Sequence, residues 1–223
     1  MVNRVLIAGA TGRTGRLIVD QLMVNGNLTH VLVRDLISAR ELFGEKVHYH
    51  VGDVRQIETL YPSMADVDVV ISAVGTSTPV GKNCPKNVDY QGVANLVDAA
   101  LNQDIKRFIL VSSIAVTQTE HPLNRFGRVL DWKLKGEEVL RSSGLEYAII
   151  RPGCLLDTPA GIRKLYFDQG DRLVGTVSRG DVALTCLNAL QYQHVPHVTF
   201  EVFESENYGN NDWTSLFLSL TPD

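Results

Sequence analysis

Residues 9–15, Gly-Ala-Thr-Gly-Arg-Thr-Gly, constrain the fold more than any other stretch of the chain. An apolar run, Val5 to Ala8, leads into them, and an amphipathic run with Leu17, Ile18, Leu22 and Val24 leads out. That pattern predicts a strand, a tight glycine turn and a helix. Gly9 can turn where a Cβ would clash, Gly12 lets the backbone come close to a ligand, and Gly15 lets the helix pack on the strand. The free N–H groups of the helix start then face whatever binds there, and a pyrophosphate fits best. Gly9, Thr11, Gly12, Arg13, Thr14 and Gly15 are therefore expected to cradle a dinucleotide.

The rest of the chain repeats the alternation. Val31–Val33, Lys46–Val51, Val67–Ala73, Phe108–Val111 and Tyr147–Ile150 read as further strands. Asp89–Asn102, with Val93, Leu96, Val97 and Ala100 on one face, reads as a helix, and Leu123–Ser142 as a long one. Strands this apolar belong to a parallel sheet covered on both faces. The expected class is α/β, a Rossmann-type doubly wound parallel sheet with a small C-terminal α/β appendage. In the tail a helix is expected from Gly180, a strand over Val198–Phe203 and a closing helix over Asp212–Leu220. One NAD(P)-binding domain over 1–223 is expected, with a cofactor-binding core at 1–157 and a substrate-side tail at 158–223.

Composition enters by exclusion. A net charge of −4 supplies no basic excess to neutralise phosphates, so no nucleic-acid partner is expected. Cys84, Cys154 and Cys186 form no CxxC pair, and reduced thiols are expected. The six histidines show no metal-ligand spacing, so no metal is expected, and His48 and His50 read as a wet strand edge. A chain that opens on its first strand, with no apolar run near the roughly 18 residues of a membrane span, leads us to expect no leader, no membrane span and a cytoplasmic location.

The second strand ends at Arg34, where an NAD site places an acid for the ribose hydroxyls. Arg34 and Arg13 would instead bracket a 2′-phosphate through charge-assisted bonds, so NADP(H) is expected. Asp35 is the dissenting residue, because it can turn toward the ribose. Asp53 or the Val54 N–H is placed to meet the adenine amino group, and Asp53 equally suits an N-cap for a helix starting at Arg55. Ala73, Val74 and Gly75 can pass beside the riboses.

With these segments laid out, the chain resembles the atypical short-chain dehydrogenase/reductase family, in its NAD(P)H-binding, NmrA-like branch. The resemblance is carried by residues 9–15, 31–35, 52–54, 88–100, 111–113, 132–137, 143–153 and 178–183. It is similar both to plant and cyanobacterial NADP-binding proteins and to biliverdin-IXβ/flavin reductase. The wider family uses a Tyr-x-x-x-Lys pair, and here the tyrosine position before Lys133 holds Val129. The resemblance points to Ser113, more than Ser112, as the hydroxyl facing substrate. It gives Lys133 the nicotinamide ribose, with pairing to Glu137 at i+4 as the alternative. Ser112, Pro152 and Gly153 would border the nicotinamide, and Cys154 stands where the biliverdin-IXβ/flavin reductase has a histidine. Two functions are implied: an NADPH-dependent oxidoreductase acting on a small-molecule acceptor such as a flavin, a quinone or a conjugated carbonyl, or a non-enzymatic NADP(H) redox sensor acting on an unknown protein partner.

Overall fold

A computed structural model describes residues 4–192 and 196–223. Strand β1 (Arg4–Ala8) has every residue after Arg4 buried, and its side chains alternate between two cores. Val5 and Ile7 join one core, with Ile18, Val19 and Leu22 of helix α1 (Arg13–Val24). Leu6 and Ala8 join the other, with Val93, Leu96 and Val97 of helix α3 (Gln91–Asn102). Between those helices lie β2 (Leu28–Val33), α2 (Leu36–Phe43), β3 (His48–Val51) and β4 (Val69–Ser72). The chain goes on through β5 (Arg107–Val111), α4 (Val129–Arg141), β6 (Glu146–Pro152), β7 (Cys154–Leu156), β8 (Lys164–Asp168), β9 (Thr176–Ser178), α5 (Arg179–Gln191), β10 (Val198–Ser205) and α6 (Trp213–Leu218).

The eight-stranded sheet runs β3-β2-β1-β4-β5-β6-β10-β8. All its pairings are parallel except β10 with β8. Strand order therefore reverses between β1 and β4, and a crevice opens outside their carboxyl ends, as it does in doubly wound sheets generally. The expected Rossmann-type class is the class observed. The segment after residue 157 supplies β8 and β10 to the main sheet and lays α5 against α1.

Three sequence expectations are corrected. No helix starts at Arg55; Asp53 Oδ1 instead accepts from the Arg55 N–H in a tight turn, and a short 3₁₀ turn follows at Ile57–Thr59. The long helix expected from Leu123 is broken. A 3₁₀ turn at Pro122–Arg125 ends at Gly127 (φ +59°) and Arg128 (φ +56°), and left-handed backbone cannot continue a right-handed helix. The helix expected from Asp89 begins as a wide π-turn over Lys86–Tyr90. It draws Asp89 inward to only 2 % exposure.

Candidate functional site

Helix α1 begins at the glycine turn without a side-chain cap. By contrast Asp35 caps α2, Ser178 caps α5 and Asp212 caps α6. The N–H groups of Arg13, Thr14 and Gly15 have no hydrogen-bond partner among the described residues. Orphan donors at a helix start need an acceptor from solvent or a ligand. The glycines make the approach possible. Gly9 sits at φ +85°, where an added Cβ would lie 2.6 Å from Ala73 O. A Cβ on Gly15 would lie 2.1 Å from Gly9 O, so only hydrogen fits under the turn. This cradle suits a pyrophosphate.

Two clefts meet here, sharing Ala73 and Val74. The first is lined by Gly9, Thr11, Gly12, Arg34, Asp53, Val54 and Gly75, together with Arg55, Thr76 and Asn83. The second is lined by Thr14, Ser112, Ser113, Lys133, Pro152 and Gly153, together with His121, Cys154, Val174 and Arg179. Of the residues expected from sequence, Gly15 and Arg13 line neither. Gly15 is buried under the turn, and Arg13 Nη1 pairs instead with Asp157 Oδ2 at 2.9 Å.

In the first cleft Arg34 is exposed and makes no hydrogen bond or ion pair among the described residues. Asp35 is turned away. Its Oδ1 accepts from the Ile37 and Ser38 N–H groups and its Oδ2 from Ser38 Oγ, which holds its carboxyl below the usual range. Asp53 is clasped by the Arg55 guanidinium, whose hydrogen bond does the same there. Sequence spacing alone did not single out Arg55, although it follows Asp53 by two residues.

In the second cleft the two serines part. Ser112 Oγ donates to buried Glu137 Oε1 at 2.5 Å, and Glu137 also binds Arg151 Nη2 at 2.7 Å and Arg141 Nη2 at 2.8 Å. Arg151 reaches on to Glu201 Oε1 at 3.2 Å, and burial pushes the Glu201 carboxyl above its usual range. Ser113 Oγ donates to Ile114 O at 3.0 Å. Lys133 does not pair with Glu137. Its Nζ lies 2.9 Å from Asp89 Oδ1, while Asp89 Oδ2 accepts from the Thr76 N–H at 3.2 Å. Gly136 makes that approach possible, since a Cβ there would lie 2.7 Å from Asp89 O. One turn before Lys133, Val129 begins α4. Arg179 is buried and binds Asp157 Oδ1 at 2.6 Å, so Asp157 bridges it to Arg13 of the glycine turn.

The chain is 31% identical to the Arabidopsis thaliana chloroplastic protein At2g37660, over 97% of this chain and 75% of that one. It is 29% identical to sanguinarine reductase of Eschscholzia californica, over 97% of this chain and 96% of that one. Among solved structures, a Bacillus halodurans protein described as a candidate NAD-dependent epimerase/dehydratase superposes with TM-score 0.85 at 26% identity, covering 98% of this chain and all of that one. The expectation of a cytoplasmic location is overturned, because At2g37660 and further relatives are chloroplastic proteins. No helix among the described residues is long and apolar enough to cross a membrane. A family model described as NAD(P)H-binding matches residues 9–193, so the chain belongs to that NAD(P)H-binding family of oxidoreductase-type Rossmann proteins.

Proposed function

We propose that this protein is an NADPH-dependent reductase of the atypical short-chain dehydrogenase/reductase type, acting on a flavin, a quinone or a conjugated carbonyl. The observation that carries the reading is the uncapped start of α1, open onto two clefts that meet at Ala73 and Val74. The first cleft is the adenosine side. There Arg34 is available for a 2′-phosphate, and Asp35 is committed to capping α2 rather than facing a ribose hydroxyl. Asp53 and Val54 lie at the adenine edge. The second cleft is the nicotinamide and acceptor side, bordered by Ser112, Ser113, Lys133, Pro152 and Gly153. Bound NADPH supplies the hydride. The chain orients both reactants and excludes water, which suits an acceptor that needs no tyrosine acid. In this reading residues 1–157 form the cofactor core. The tail from 158 supplies Val174 and Arg179 to the acceptor side. The reductase among the relatives supports the reaction class, and the chloroplastic relatives support a plastid setting.

The test is NADPH oxidation by purified protein across a panel of flavins, quinones and conjugated carbonyls. Turnover above background with at least one acceptor is expected. Silence across the panel, from protein that binds NADPH, overturns the reading.

One contact favours a second reading, a sensor of cofactor state. Asp157 ties the tail to the glycine turn through Arg13 and Arg179. A sensor must bind NADP and NADPH unequally, because equal affinity shifts no equilibrium. Calorimetry gives both constants for wild type and for Asp157→Asn. Equal constants in wild type exclude the sensor.

A further inference from the structure

The second cleft is rich in polar side chains, yet almost every one is already engaged. Ser112 donates to Glu137, Ser113 to Ile114 O, Lys133 pairs with Asp89, and Arg179 pairs with Asp157. A reduced acceptor oxygen needs a donor, since negative charge gathers on it as hydride arrives. Ser113, as it stands, offers that oxygen only lone pairs, because its proton goes to a backbone carbonyl.

Apart from the Thr14 hydroxyl on the glycine turn and the Cys154 thiol, the exception is His121. It opens the 3₁₀ turn at Pro122–Arg125 and lines the second cleft, half-buried. Its Nδ1 accepts from the Leu123 N–H at 3.3 Å. An imidazole that accepts at Nδ1 carries its proton at Nε2. No partner for Nε2 exists among the described residues. The 3₁₀ turn thus sets both the tautomer and the direction of the free donor. Around it the cleft wall is apolar, with Ile114, Leu123, Leu155 and Val174. An imidazole donor beside an apolar wall selects a flat, conjugated acceptor with a hydrogen-bond-accepting atom at the reacting end.

We propose that His121 Nε2–H is the hydrogen-bond donor that holds and polarises the acceptor oxygen, taking the place left by the missing tyrosine. This rests on the reductase reading above. The imidazole is not the reductant and gives up no proton. The electron pair comes with the hydride, the oxygen is finally protonated from water, and His121 stabilises the charge in between.

The test uses the full chain with NADPH and menadione, a quinone whose carbonyl oxygens accept hydrogen bonds. His121→Phe is expected to lower kcat about 10²-fold, the usual effect of losing one such donor, with the NADPH dissociation constant by calorimetry unchanged. His121→Gln, whose amide N–H reaches about as far as Nε2, is expected to recover at least a tenth of wild-type kcat. A kcat for His121→Phe within twofold of wild type overturns the proposal. A second readout needs no turnover. With NADP bound, menadione is expected to shift the ¹⁵N resonance of His121 Nε2, and an unmoved resonance overturns the proposal on its own. Wild-type protein that binds NADPH, shows the shift and reduces nothing overturns the reductase reading while leaving the contact in place.

Discussion

Lys133 Nζ is held 2.9 Å from Asp89 Oδ1, and the carboxylate belongs to the π-turn that feeds α3, not to the helix that carries the lysine. Asp89's side chain has no exposed surface and Lys133's is 18% exposed. The pair therefore locks α4 to the α3 turn beneath the second cleft. It leaves Glu137, the residue one turn on from Lys133, to Ser112 and two arginines.

Removing the lysine strands a buried carboxylate, which is far worse than removing both charges. Lys133→Met is expected to cost about 3 kcal/mol of unfolding free energy. The double variant with Asp89→Asn should recover a large part of it, a coupling that a double-mutant cycle in urea measures directly. A single variant within about 0.5 kcal/mol of wild type would show the pair to be energetically idle.

Arg34 supplies a free guanidinium at the mouth of the first cleft. Arg34→Ala should weaken NADPH by about 10- to 100-fold, the range of a lost charge-assisted contact, and leave NADH unchanged. The wild-type preference for NADPH should also shrink as salt rises, because the site is exposed. NADPH affinity equal in wild type and variant removes the assignment of the 2′-phosphate to this residue.

Gly15 has no room for a methyl group, since its Cβ would sit 2.1 Å from Gly9 O, a backbone atom that cannot swing aside. Gly15→Ala should abolish measurable binding of both nucleotides and lower stability by about 1–3 kcal/mol through overpacking. Gly26→Ala is the control. Gly26 has open space around it, and although its φ of +76° makes the change strained, it should cost stability without touching affinity. An affinity loss of equal size in both variants would detach the glycine turn from cofactor binding.

Stability should fall in mild acid because of His30. It is buried on β2, stacked between His48 and His50 of β3, with its Nδ1 2.9 Å from His50 Nε2. Burial, then the charges of His50, His48 and Arg4, hold its pKa down to about 4, with Asp66 opposing. An unfolded histidine protonates near 6.5. Between those values the unfolded chain binds more protons, so stability is full above about 6.5 and drains away as pH falls toward 4. The loss approaches about 3 kcal/mol at the acid end. His30→Leu should flatten the urea midpoint across that window, and an unchanged slope would place the acid sensitivity elsewhere.

How far the chain could be read without its structure depends on what is local. The glycine turn, the β1–α1 junction and the alternation that yields a parallel sheet follow from backbone sterics and from periods of two and 3.6 residues, which neighbouring positions carry by themselves. Of the site residues named from these patterns and from the family resemblance, all but Arg13 and Gly15 line one of the two clefts. The partners of those residues were not legible. Lys133 meets Asp89 and not Glu137, Ser112 turns into a buried network while Ser113 stays at the cleft, Arg13 leaves the first cleft for Asp157, and His121 brings its imidazole to the second. Each of those outcomes depends on groups 25 to 144 positions apart or on a helix broken at Gly127 and Arg128, and only the packing of distant elements decides which charges become close enough, and dry enough, to pair.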